Sequence, residues 1–234
     1  MLIAIEGIDG SGKGTQAALL ATRAKEAGMS IATFSFPGYA KNAFGEAVGR
    51  YLNGEYGDVD AVAPQLASLL YAGDRFATRA ELENGCRASD LVICDRYVPS
   101  NLAHQAAKLP PAQRPTFIAW LTNIEYGIYR VPKADLVIYL DVPVELASGL
   151  VLRKKSRDYT QLKADIHEKN VGYLHRCREV YQFLANEHHG GPWVRIPCTN
   201  PQGDLIPPDQ ISAAIWQIVS ECAEKALGIN RISP

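Results

Sequence analysis

The stretch Gly7-Ile8-Asp9-Gly10-Ser11-Gly12-Lys13-Gly14-Thr15 has the residue types and spacing to hold a phosphate chain. Its glycines let successive backbone N–H groups turn inward with no Cβ in the way. Lys13 adds a full charge that can reach the outer phosphates of a nucleotide. The usual pattern is G-x-x-x-x-G-K-[ST]. Here Gly14 holds the hydroxyl position and Thr15 follows one residue later. Either Thr15 takes over the magnesium-side hydroxyl, or the metal is held mainly by water, phosphate and carboxylate. By itself the loop points to a nucleoside triphosphate and to no particular reaction.

The elements that must position this loop are legible around it. It sits between an apolar run, Leu2 to Glu6, and a helical pattern starting near Lys13. That helix aims its positive dipole end at the loop. Further short β-rich runs are Ser30–Phe34, Asp90–Cys94, Asp135–Leu140 and Trp193–Ile196, each separated by helical stretches. Five such runs predict a three-layer α/β fold: a parallel sheet with helices on both faces. Ligands of such sheets bind beyond the carboxyl ends of the strands. The second strand ends in Phe36-Pro37-Gly38-Tyr39 and the third in Asp95-Arg96-Tyr97. Helices are expected over Ala43–Leu52, Pro64–Asn84 with Gly85 as its stop, Asn101–Ala107, Gln113–Gly127, Val144–Lys154, Leu162–Glu187 and Pro208–Leu227. Tyr71 and Arg75 lie four apart and so share a helix face. Such a face is either a clamp on a base and a phosphate or a packed ring beside a surface cation, and spacing alone favours the second. The basic run Arg153, Lys154, Lys155 and Arg157 is either a solvated face or a lid over phosphates.

Composition bounds what this machinery can serve. The chain has 234 residues, 47% hydrophobic and 21% charged, and suits one domain over residues 1–228 with a frayed tail at 229–234. Net charge is −1, so no global field attracts nucleic acid or an anionic membrane. No apolar run approaches the ~18 residues that cross a bilayer, and the opening Met-Leu-Ile-Ala-Ile reads as a strand and not a signal peptide. Five scattered cysteines without a C-x-x-C pair suggest reduced thiols and a cytoplasmic setting. His167-Glu168 lacks a second His at metal spacing, and His188-His189-Gly190-Gly191 reads as a solvated turn.

Four pieces in order carry a family resemblance: Glu6-Gly7-Ile8-Asp9-Gly10-Ser11-Gly12-Lys13, then Phe36-Pro37, then Leu70-Tyr71-Ala72-Gly73-Asp74-Arg75, then Asp95-Arg96-Tyr97-Val98-Pro99-Ser100-Asn101. At these spacings the chain resembles the thymidylate kinases, P-loop enzymes that transfer phosphate from ATP to dTMP. The resemblance covers nearly the whole chain. It implies ATP and Mg²⁺ as cofactors, a small lid at about 153–161, nucleotides as the only ligands and a homodimer. It gives Gly7 to Thr15 to the donor phosphates. Asp9 would meet the sugar 3′-hydroxyl and, with Asp95 and Thr15, organise the metal. Phe36 and Tyr39 would line the sugar and base, and Tyr71 would stack on thymine. Arg75 and Arg96 would flank the base and the acceptor phosphate, and Ser100 and Asn101 the base edge.

Four departures bear on those roles. Gly38 stands where many members have an arginine that touches the acceptor phosphate. Gly14 replaces Ser/Thr, as it does in the related adenylate kinases. Gly10 stands where some members carry a loop arginine; members lacking it place a catalytic arginine in the lid, which implies Arg153 or Arg157. His104 stands where a tyrosine is common, beside the sugar 2′ carbon. The expectation is therefore a dTMP kinase with Lys13, Arg96, Asp9 and a lid arginine as catalytic groups. The alternatives are a kinase of another nucleoside monophosphate, or a P-loop protein that binds nucleotide without catalysis. No N-K-x-D motif supports a guanine-reading switch.

Overall fold

A computed structural model describes residues 1–58, 61–153 and 171–227. Five parallel strands run β1 (Leu2–Glu6), β2 (Ile31–Ser35), β3 (Leu91–Asp95), β4 (Leu136–Asp141) and β5 (Trp193–Pro197), in the spatial order β2-β3-β1-β4-β5. Each of the last four starts or ends one residue later than its apolar run suggests. Every residue of β1 and β4 is buried, whereas the edge strands β2 and β5 are partly exposed. A strand buried on both faces needs helices on both sides, which explains the unbroken Leu2-Ile3-Ala4-Ile5 run. The register sets Ile5 opposite Asp95 and Ile138, and Asp95 opposite Ser35. The carboxyl ends of the four strands are thus level, and the loops leaving them share one edge.

The helices are α1 (Lys13–Glu26), α2 (Ala43–Leu52), α3 (Pro64–Ala88), α4 (Val98–Ala106), α5 (Arg114–Thr122), α6 (Val144–Arg153), α7 (Val171–Asn186) and α8 (Pro208–Leu227). Helices α1 and α8 pack on each other; α3, α5 and α7 all pack on α4. Three local readings need correction. First, Gly85 does not stop α3. A Cβ there would sit 3.2 Å from the Phe34 ring, so glycine serves close packing of α3 on β2. Second, α4 begins at Val98, before the expected Asn101, because Pro99 is tolerated in a first turn. Third, the helix expected over Gln113–Gly127 is composite. A 3₁₀ turn at Pro111–Gln113 precedes α5, and a π-helical segment, Asn123–Ile128, follows it. The helix expected from Leu162 is described only from Val171. The lid with Arg157, and the tail at 229–234, lie outside the described residues, as does the side chain of Arg153.

Helix α2 is capped by Asn42, whose side chain accepts from the Phe44 and Gly45 amides at 3.0 and 2.9 Å. It lies backbone to backbone on the Phe36-Pro37-Gly38 loop: a Cβ on Gly45 would come 2.1 Å from the Gly38 carbonyl oxygen. Gly45→Ala must therefore displace main chain. We expect a loss of about 1–3 kcal/mol, and a melting temperature lower by roughly 3–10 °C. An unshifted thermal melt would refute the close approach.

Candidate active site

The phosphate loop bridges β1 and α1. Gly7 holds φ +147, and a Cβ there would meet the Leu140 carbonyl at 2.7 Å and the Ser11 hydroxyl at 2.6 Å. Gly12 holds φ +86 as the N-cap of α1. Both positions demand glycine. Lys13 folds back into the loop, donating to the Ile8 carbonyl at 2.7 Å and lying 3.4 Å from the Ser11 hydroxyl. Burial, and then the charge of Arg96, push its amine down to about 7, against the pull of Asp9 and Asp95.

The third strand ends in Arg96, which holds a left-handed φ of +65. Such a conformation costs a non-glycine residue on the order of 1–3 kcal/mol. Its amide donates to the Ile5 carbonyl at 3.1 Å, and its guanidinium pairs with Asp9 of the phosphate loop. Nη1 also donates to the Ser100 hydroxyl at 3.2 Å and lies 3.4 Å from His104 Nε2. Ser100 in turn donates to Glu6 at 2.6 Å, so its hydroxyl props Arg96. Burial holds the His104 imidazole down at about 3, with Arg96 and Lys13 adding to the effect against Asp9, and so His104 is neutral near pH 7. Beside a guanidinium that only donates, Nε2 is the accepting nitrogen, and Nδ1 carries the proton toward Tyr173 Oη at 3.2 Å.

Asp9, Phe36, Tyr39, Tyr71, Arg75, Arg96, Ser100, Asn101 and His104 line one cleft. All nine acceptor-side residues singled out in the sequence thus meet there. Tyr71 and Arg75 share a face of α3 and both reach the cleft, unlike the bland reading of their spacing. The Tyr71 ring stands edge-on to Tyr51 at 6.5 Å. Arg75 is 2% exposed and held by Glu125, whose Oε2 accepts from Nε at 3.0 Å and whose Oε1 pairs with Nη2. Burial works against the Arg75 cation, and Glu125 more than restores it. Asn101 Oδ1 is buried without a hydrogen-bond partner, as are both polar atoms of Gln105, another cleft residue. Buried polar atoms are normally paired, so these three atoms are hydrogen-bonding capacity left over at the cleft wall.

Sequence reasoning missed four residues. Glu6 is fully buried and takes the Tyr97 amide at 2.7 Å and the Tyr181 hydroxyl at 3.0 Å. Asp74 is fully buried and takes the Gly38 amide at 2.9 Å and the Asn42 amide group at 2.7 Å. Glu125 and Gln105 complete the set. A charge closing an apolar strand was a usable signal for Glu6; Gln105 carried none.

The metal candidates are less tightly assembled. Asp9 lies on the loop and Asp95 on the tip of β3. Asp95 Oδ2 would lie 3.1 Å from a Cβ on Gly14, so a carboxylate crowds the usual hydroxyl position. Thr15 is exposed on α1. Among the described residues no cluster of three or more His, Cys, Asp or Glu could hold a metal alone. His188 and His189 cap a turn before β5, with the His188 ring accepting from the Trp193 amide at 3.3 Å.

Residues 5–205 match the sequence profile of the family described as thymidylate kinase. The chain belongs to the thymidylate kinase family. It is 35% identical over 213 residues to a thymidylate kinase of Mycobacterium tuberculosis, covering 89% of this chain and 99% of that one. It is 31% identical over 228 residues to the thymidylate kinase of Thermomicrobium roseum, covering 95% and 96%. The solved structure of thymidylate kinase from Candida albicans superposes with a TM-score of 0.70, covering 94% of this chain and 91% of that one; at 23% identity it supports the fold. For this family the loop state has a measurable consequence. A bound triphosphate favours the charged amine and so raises the Lys13 pKa from its resting value of about 7. At pH 8 ATP binding should take up close to one proton, and should not do so in Lys13→Ala. Titration calorimetry in two buffers of different ionisation enthalpy reads this directly; equal apparent enthalpies in the wild type would contradict it.

Proposed function

We propose that this chain phosphorylates dTMP to dTDP with ATP and Mg²⁺, the donor lying on the loop Gly7 to Thr15 and the acceptor in the adjoining cleft. The observation that carries the reading is the position of Arg96. It lies between the loop, through Asp9, and a base pocket formed by Tyr71, Arg75 and Asn101. An acceptor phosphate has a second pKa of about 6 and is mostly deprotonated at pH 7, so no strong general base is needed. The obstacle is anion meeting anion. Two unit charges ~4 Å apart repel by ~4 kcal/mol at an effective dielectric of ~20, and two near-dianions by roughly four times that. Catalysis then rests on positioning and neutralising.

Lys13 turns from the Ile8 carbonyl to the donor phosphates. Arg96 exchanges Asp9 for the acceptor phosphate. Asp9 and Asp95 offer hard oxygen donors that would suit Mg²⁺, which keeps several waters and binds few carboxylates; such an ion would supply charge neutralisation at the phosphates. We assign the third cation to a lid arginine, Arg153 or Arg157. Tyr71 supplies a face for the base and Phe36 and Tyr39 enclose the sugar. Arg75 as donor and Asn101 Oδ1 as acceptor suit the imide edge of thymine. A panel of dTMP, dUMP, dCMP, AMP and UMP with ATP and Mg²⁺ should give dTMP the highest kcat/KM. Preference for another monophosphate would move the assignment to that kinase, and absence of any ADP release would leave a binding protein.

Among the described residues no helix is long and apolar enough to cross a membrane. The five cysteines are free, which supports a reducing, cytoplasmic setting. Helices α2 and α3 leave Phe44, Leu66 and Phe76 exposed, at 41%, 63% and 47%. We assign this surface to the homodimer contact. Sedimentation should give twice the chain mass for the wild type and a monomer for Leu66→Glu/Phe76→Glu; a monomeric wild type would overturn it.

A further inference from the structure

Glu125 sits in the π-helical segment Asn123–Ile128 and is wholly buried. Its carboxylate does two things at once. It takes Nε and Nη2 of Arg75, and its Oε1 also accepts from Asn101 Nδ2 at 2.9 Å. The same Nδ2 donates to the Ser68 carbonyl at 3.0 Å. A carboxylate and a main-chain carbonyl only accept. Both protons of the Asn101 amide are therefore spent, and turning the amide over would press its oxygen against two other oxygens. Asn101 is thus confined to presenting Oδ1, the atom left without a partner at the cleft. Arg75 is constrained in the same way: with Nε and Nη2 taken, the Nη1 side of its guanidinium remains for a ligand.

We propose that Glu125 is a positioning residue for base choice: by accepting from both Arg75 and Asn101 it fixes a donor beside an acceptor, and so selects an imide edge over the edge of cytosine. Thymine and uracil offer a ring N–H to Asn101 Oδ1 and a carbonyl to Arg75. Cytosine offers a ring nitrogen acceptor and an amino donor, so both contacts are opposed. A site whose buried groups are left unmatched rejects the wrong ligand far more strongly than one that loses only packing. The inference rests on the dTMP reading of the cleft.

Glu125→Gln tests it, because an amide at 125 can donate as well as accept, so an overturned Asn101 meets one opposing oxygen, the Ser68 carbonyl, in place of two. The ratio of kcat/KM for dCMP to that for dTMP should rise about tenfold or more, chiefly through KM, while the ratio for dUMP to dTMP stays fixed. A merely structural role would lower all three substrates together. If Glu125→Gln does not fold, Glu125→Asp keeps a counter-charge beside Arg75 while its shorter side chain no longer reaches both Arg75 and Asn101, so the dCMP to dTMP ratio should rise there too. An unchanged dCMP ratio in the folded variant overturns the proposal. A wild type that turns over neither dTMP nor dUMP would instead strike the substrate reading.

Discussion

A carboxyl group wholly shielded from solvent stands where the central strand ends. Glu6 is fully buried, and burial raises its pKa against the hydrogen bond of Ser100, the charge of Arg96, and the hydrogen bonds of Tyr97 and Tyr181. Isolated, such a group would be costly; surrounded by donors it becomes a joint. At the start of α4 it accepts the Tyr97 amide at 2.7 Å and, at 3.3 Å, the Ser100 amide, which is shared with the Tyr97 carbonyl. Helix α4 has no side-chain cap of its own, and Glu6 supplies one from another segment. The next residue, Gly7, opens the phosphate loop. One side chain therefore fixes where the donor loop begins and where the helix bearing Ser100, Asn101 and His104 begins. Tyr181 brings α7 to the same point.

The cleft's cations divide by how they are held. Lys13 and Arg96 rest on partners that belong to the loop, the Ile8 carbonyl and Asp9. Arg96 remains 19% exposed, and an arriving phosphate can replace its carboxylate partner with another anion. Arg75 is different. Its pair with Glu125 lies at 2% and 0% exposure, and removing one partner of such a pair typically costs about 3–5 kcal/mol. On the proposed reading the two cations held by the loop serve the phosphates, and the one locked to Glu125 serves the base, where shape and hydrogen-bond direction matter.

How much of this was legible follows from what each feature depends on. The strands were visible because burial on both faces demands continuous apolar runs, as in Leu2 to Ile5. The phosphate loop was visible because its glycines answer a local backbone requirement. Tyr71 and Arg75 were ambiguous, since a helix face can be assigned from spacing but its neighbour cannot. Glu125 was invisible for a stronger reason. Its meaning comes from a π-helical segment that shifts it toward Arg75, fifty residues earlier in the chain, and no local pattern announces that shift. Gly85 misled because glycine at a helix end and glycine under an aromatic ring look the same in one dimension.

Two of the three glycine departures, Gly14 and Gly38, have one explanation. At Gly14 a Cβ would lie 3.1 Å from Asp95, and at Gly38 it would lie 3.2 Å from Asp74. In each case an acid occupies the space that the more common side chain would enter. At Gly38 the arrangement goes further, because the amide itself donates to Asp74 and the Lys41 stem crosses within 3.2 Å of the same point. An arginine placed at 38 would meet the Asp74 carboxylate before it met a phosphate, and would loosen the loop that Asp74 ties down. On the proposed reading the acceptor phosphate draws its positive charge from the strand tip instead, where Arg96 is held in a left-handed backbone conformation with its guanidinium toward the phosphate loop.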